Sequence, residues 1–132
     1  MYSRFILLPV LIVLGCSTAP EEPALLHSFQ IQVEGIETPE SVRADQRLIL
    51  KFHGVIGTDL CHRFERFEVN QSAAHLELTL WGIVDVSPGV CATAIAELDE
   101  AFTKQPPHSG PISVVINQPD GTSILLSIPI TG

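Results

Sequence analysis

Hydrophobic and polar positions alternate along most of the chain after residue 25. In residues 26–33, His27, Phe29, Ile31 and Val33 alternate with Ser28, Gln30 and Gln32. A period of two is the mark of a strand, because successive side chains point to opposite faces. Residues 35–45 hold Pro39 among polar groups and predict a loop or an edge. Alternation returns over residues 47–55, with Leu48, Leu50 and Phe52 against Arg47, Lys51 and His53, until Gly54 and Gly57 end it. Residues 63–70 set Phe67 and Val69 against Arg66, Glu68 and Asn70, and Asn70-Gln71-Ser72 predicts a turn.

Residues 75–86 give the clearest strand. Leu76, Leu78 and Leu80 share one face, continued by Gly82, Val84 and Val86, while His75, Glu77, Thr79 and Trp81 share the other. Ser87-Pro88-Gly89 stops it. Residues 91–102 are ambiguous: Ala92, Ala94 and Ala96 alternate as in a strand, yet 94–101 is also good helix composition. The expectation there is a strand running into a turn of helix or an irregular segment. A Pro-Pro loop follows at 104–110. Residues 112–117 and 122–130 flank Gln118-Pro119-Asp120-Gly121, a hairpin turn in which Pro presets φ and Gly accepts a positive φ. Pro129 predicts that the last strand ends at a sheet edge. About seven strands with frequent turn signals predict an all-β domain, an antiparallel β-sandwich, over residues 26–132.

The first 25 residues follow another pattern. Arg4 makes a short positive start, and residues 5–14 are apolar throughout. Such a run covers only about half of the ~30 Å hydrocarbon core, so it reads as the apolar region of a secretory signal rather than as a spanning helix. Residues 17–24 are small, charged and Pro-bearing, the composition of a flexible tether.

Val13-Leu14-Gly15-Cys16 resembles the lipobox of bacterial lipoproteins. The resemblance covers residues 1–16. It implies that residues 1–15 are a cleaved signal peptide and that the Cys16 thiol carries a diacylglyceryl group such as a palmitate-bearing one. The tether is then 16–25 and the protein is held on the membrane by acyl chains. The absence of Asp after the Cys (Ser17 stands there) favours the outer membrane of a Gram-negative envelope. With Cys16 assigned to lipid, Cys61 and Cys91 remain as an even pair in an oxidising compartment, where a disulfide is expected. The strand pattern further resembles Ig-like domains of bacterial surface proteins. Residues 52–91 resemble a loose group of small secreted lipoproteins with a Gly-containing turn, a Cys, an aromatic-rich strand, a hydrophobic strand and a second Cys. Trp81 lies only ten residues before Cys91, which departs from the antibody pattern.

Charge narrows the choice of partner. Loss of Arg4 with the signal leaves six cationic side chains against fifteen carboxylates. With no basic patch, nucleic acid is not expected as a partner, and the acyl chains rather than protein charge must hold the membrane. No phosphate-cradling Gly loop is present, and no cofactor is expected.

The densest polar cluster is Asp59-Leu60-Cys61-His62, flanked by His53 and His75. Imidazole, thiolate and carboxylate suit zinc or copper, but no His-x-x-x-His or Cys-x-x-Cys spacing supports a metal, and a disulfide Cys beside a loop His is the simpler reading. A Cys61–His62 nucleophilic pair fails because adjacent strand residues diverge. Glu97, Asp99 and Glu100 read as a solvated acidic loop, and His27 and His53 as surface residues. Trp81, the only Trp, is expected to be buried or half-buried, or else exposed as an anchor for a protein or glycan partner. These features predict a non-enzymatic binding or structural module of the envelope. The alternatives are a metal-handling protein or enzyme using Cys61-His62, and an inhibitor or assembly accessory acting through an exposed loop or Trp81.

Overall fold

The computed structural model describes residues 15, 25–87 and 89–132; the predicted signal peptide apart from Gly15, Cys16 and most of the tether lie outside them. Among the described residues the fold is all-β, with ten strands. They are β1 (Leu26–Gln30), β2 (Gly35–Glu37), β3 (Val42–Arg43), β4 (Leu48–Gly57), β5 (His62–Ser72), β6 (His75–Asp85), β7 (Ala96–Lys104), β8 (Ile112–Asn117), β9 (Ser123–Ile128) and β10 (Ile130–Thr131). Six match strands predicted from the sequence, and β7 falls in the segment whose sequence is ambiguous. The other three, β2, β3 and β10, are short pieces in segments too polar or too brief to show a period.

Two sheets carry the fold. In the larger one, β5 and β1 flank β6 antiparallel, β8 runs parallel to β6, and β9 closes the far edge. β1 pairs with the second half of β6 and β8 with the first half, so the two share one side of it. In the smaller sheet β4 lies between β2 and β7. The chain from β1 to β2 crosses between the sheets. The Gln118 side chain supports this crossing: its amide donates to Val33 O (2.9 Å) and its oxygen accepts from Val33 N (3.0 Å). β3 and β10 form a separate parallel pair.

One core draws on both sheets. Leu48, Leu50 and Phe52 of β4 and Leu98 of β7 meet Leu76, Leu78 and Leu80 of β6 and Ile112, Val114 and Ile116 of β8. Each such side chain contributes about 1.5–3 kcal/mol on full burial. At the seam between the sheets Phe67 of β5 stands 4.9 Å from Phe64, 5.3 Å from Phe102 and 5.7 Å from Phe52, ring centre to ring centre. These are tilted and edge-on arrangements, the ones the ring quadrupoles favour.

Several expectations change. Residues 70–72 do not turn: β5 runs to Ser72, and the turn is at Ala73-Ala74. Residues 91–102 contain no helix. The order is the reverse of the one expected, irregular from 91 to 95 and then strand, because Ala96 and Leu98 bury their side chains against the core. Glu97, Asp99 and Glu100 therefore lie on β7 rather than in a loop. The register of β5 shifts between Phe64 and Arg66, a bulge that re-phases the strand. Gly121 takes φ +85° in the β8–β9 turn, as the Pro-Asp-Gly pattern requires. The strand before Pro129 ends at Ile128 on the edge of the larger sheet.

Candidate functional site

Three places bring chemistry-bearing residues together. The first is the end of the domain where β4 passes into β5 and β6 into β7. Cys61 and Cys91 form a disulfide there, Cα atoms 5.6 Å apart. Asp59 organises the shorter loop. Its Oδ1 accepts from the Cys61 backbone N–H at 3.0 Å and lies 2.8 Å from His62 Nδ1. The hydrogen bond with His62, aided by the Cys61 N–H, holds the Asp59 carboxyl below the usual carboxylate range. Leu60 N donates to Ala92 O and Asp85 N donates to Cys61 O, lacing the loops together.

This arrangement bears on the metal and nucleophile readings. Asp59, Cys61 and Cys91 are the one group of potential metal ligands that converge among the described residues, but both sulfurs are bonded to each other. Neither is a thiolate able to bind a metal or attack a substrate. The His62 ring meets Asp59 on one side and the edge of Phe29 on the other, with centroids 5.7 Å apart.

The second place is the outer face of the larger sheet. Trp81 is half-buried there, on the side of β6 away from Leu78 and Leu80. Its Nε1–H donates to Glu68 Oε2 at 2.8 Å, and the Arg66 guanidinium carbon lies 5.6 Å from the ring centre. The guanidinium is within cation–π range of the ring. Beyond Glu68 the face sinks into a depression of about 290 Å³ lined by Glu68, Asn70, Glu77, Thr79 and Asn117. Asn117 Nδ2 donates to Glu77 Oε1 (2.9 Å) and Thr79 Oγ1 (3.1 Å), so its polar groups are already cross-linked.

The third is a depression of about 360 Å³ on the smaller sheet, where Glu34, Glu97 and Asp99 surround His53. His53 Nε2 stands 3.5 Å from Glu37 Oε1 and has no hydrogen-bond partner. His27 is exposed, as expected of a surface residue, and His53 keeps 41% of its side chain exposed at the rim of this depression.

Sequence reasoning found Cys61, Cys91 and Trp81 but missed what positions them. Asp59, two residues before Cys61, has the spacing of an Asx turn and was legible in principle. Arg66 and Glu68 reach Trp81 only because the β5 bulge sets their phase. No protein-family model matches the chain, and neither a curated protein nor a solved structure is significantly similar to it.

Proposed function

We propose that this chain is a lipid-anchored, non-enzymatic binding module of a bacterial cell envelope, built as an Ig-like β-sandwich. The observation that carries the reading is the Cys61–Cys91 disulfide. Structural disulfides belong to oxidising compartments, and this one takes up two of the three cysteines in the sequence, Cys16 being the third. Cys16 is also the residue that ends the signal-like apolar run. The Ig-like assignment is supported by the crossing of the chain from β1 to β2 between sheets that share a core. The binding surface is the outer face around Trp81, where an aromatic ring, a guanidinium and a carboxylate are held in one geometry.

The test is the mass of the N-terminal peptide from protein isolated from membranes of an expressing bacterium. Cys16 should be the first residue and carry a diacylglyceryl thioether plus an N-acyl chain, and Cys16→Ser should release the protein from the membrane fraction. A mature protein that begins elsewhere, or one that stays soluble with Met1 intact, would sink the reading.

A further inference from the structure

The disulfide-stapled end carries a second feature. Leu25, Leu26, Leu60, Val86, Val90 and Ile95 are all exposed there, Val90 at 89% and Ile95 at 62%. Topology gathers them. β4 ends and β5 starts at this end, β6 ends and β7 starts there, and β1, antiparallel to β6, begins there. Val86 N donates to Leu25 O, which ties the start of the domain to the longer loop. Residues 86–95 contain no charged side chain, in a chain 17% charged.

We propose that this apolar tip seats in the interface of the same lipid bilayer that holds the anchor, so that the domain rests on the membrane end-on. The proposal rests on the lipidation of Cys16. Chain length supplies the argument for the occupant. From Cys16 to Leu25 the chain can span at most about 30 Å, and it enters the domain within the apolar tip itself. The tip is therefore confined to the neighbourhood of the bilayer surface, where burying aliphatic side chains is favourable.

Entry into a poorly hydrated interface also requires that backbone polar groups be satisfied. Those at the base of the tip are: Leu60, Cys61, His62, Asp85, Val86 and Ser87 all donate their N–H groups to carbonyls or carboxylates, while the N–H groups of residues 90–95 are left to the water of the headgroup region. The carboxylates of these two loops, Asp59 and Asp85, accept hydrogen bonds from the backbone beside them. Charge contributes nothing to the attraction, so the contact should not depend on anionic lipid.

The test uses the full acylated chain in phosphatidylcholine vesicles, with some of the lipid brominated in its acyl chains. In a Trp81→Phe background a single reporter is placed at the tip, Val90→Trp, or at the opposite turn, Ala73→Trp. Emission from position 90 should fall at least about twofold on bromination while that from position 73 stays unchanged, and exchange of phosphatidylcholine for phosphatidylglycerol should alter neither result. A chain that floats with the vesicles but shows no quenching at position 90 overturns the tip proposal and leaves the anchor standing. A chain without acyl mass on Cys16 overturns the anchor. The tip is then judged with Cys16→Ser protein and excess vesicles, where quenching at position 90 that Ile95→Glu removes supports it and no quenching overturns it. A Cys16→Ser dimer that Ile95→Glu dissociates also overturns it, in favour of a second copy as the occupant.

Discussion

At one end of the domain the β4–β5 and β6–β7 loops are joined by the Cys61–Cys91 disulfide and turn aliphatic side chains outward. At the other end β5 and β7 finish side by side, and Lys104, the last residue of β7 and only 7% exposed, reaches across to β5. Its Nζ donates to Ser72 O at 2.8 Å and to Gln71 Oε1 at 3.3 Å. The first end holds a long irregular segment whose side chains bury little, so a covalent bond limits its freedom. The second has a two-residue turn and a loop, 105–111, that buries Pro106, so packing and a few directed hydrogen bonds hold it. An end that leaves its apolar residues uncovered cannot be held by packing, and this is where the chain spends its cysteines.

The largest effect should come from breaking the staple. A Cys61→Ser/Cys91→Ser double variant opens a loop of ~31 residues, and the chain-entropy relation gives a loss of about 3–4 kcal/mol. Urea unfolding of the two proteins measures it. A loss below about 1 kcal/mol would show that backbone bonds such as Leu60 N to Ala92 O already hold the tip, and the contrast between the ends would fall.

Next in size is Lys104. Lys104→Ala removes a charge-assisted hydrogen bond and the packing of the aliphatic stem, at about 2–3 kcal/mol. Lys104→Met keeps the stem volume and loses only the hydrogen bonds, and should cost about 1–1.5 kcal/mol, less than the alanine variant. Equal unfolding midpoints for the two variants would show that the ammonium alone, not the stem, closes this end.

These contrasts also mark what the sequence could reveal. Leu76, Leu78 and Leu80 showed their common face because β6 is central and one face meets the core. The disulfide followed from counting cysteines, and the β8–β9 turn from the φ requirements of Pro and Gly. The bulge at Glu65 was hidden because one unpaired residue inverts the phase, placing Phe64 and Phe67 three apart yet packing both against the core. Val69 lies opposite Leu78 but stays 40% exposed, because β5 is an edge strand. Lys104 was unreadable for a different reason: its partners stand more than thirty residues away in sequence, and nothing local marks a buried cation. The Trp81 setting was half legible, since alternation assigned its face but not its cover of Arg66 and Glu68.

The smallest effect separates the ends by pH. Asp59 and Asp85 stand at the stapled end, and hydrogen bonds hold both below the ordinary carboxylate range, from His62 in one case and Ser87 in the other. Asp120 is lowered likewise by Thr122, in the β8–β9 turn. A carboxyl with a lowered folded-state pKa binds fewer protons when folded than when unfolded. Its contribution is complete above the unfolded value and is lost as pH falls through that value toward the folded one. All three groups lie near water, so each effect is modest. Urea midpoints taken from about pH 6 down to about pH 2 should therefore fall less steeply for Asp59→Asn than for the wild type. The variant keeps an oxygen that can accept from Cys61 N–H but loses the charge that His62 meets. Asp120→Asn should flatten the same acid limb by a comparable amount in the wild type and in the Cys61→Ser/Cys91→Ser background. The Asp59→Asn difference should shrink in that background, because loss of the disulfide frees the loop that holds Asp59 against His62. If it does not shrink, Asp59 organises its loop without help from the staple, and the two ends differ in their covalent bond alone.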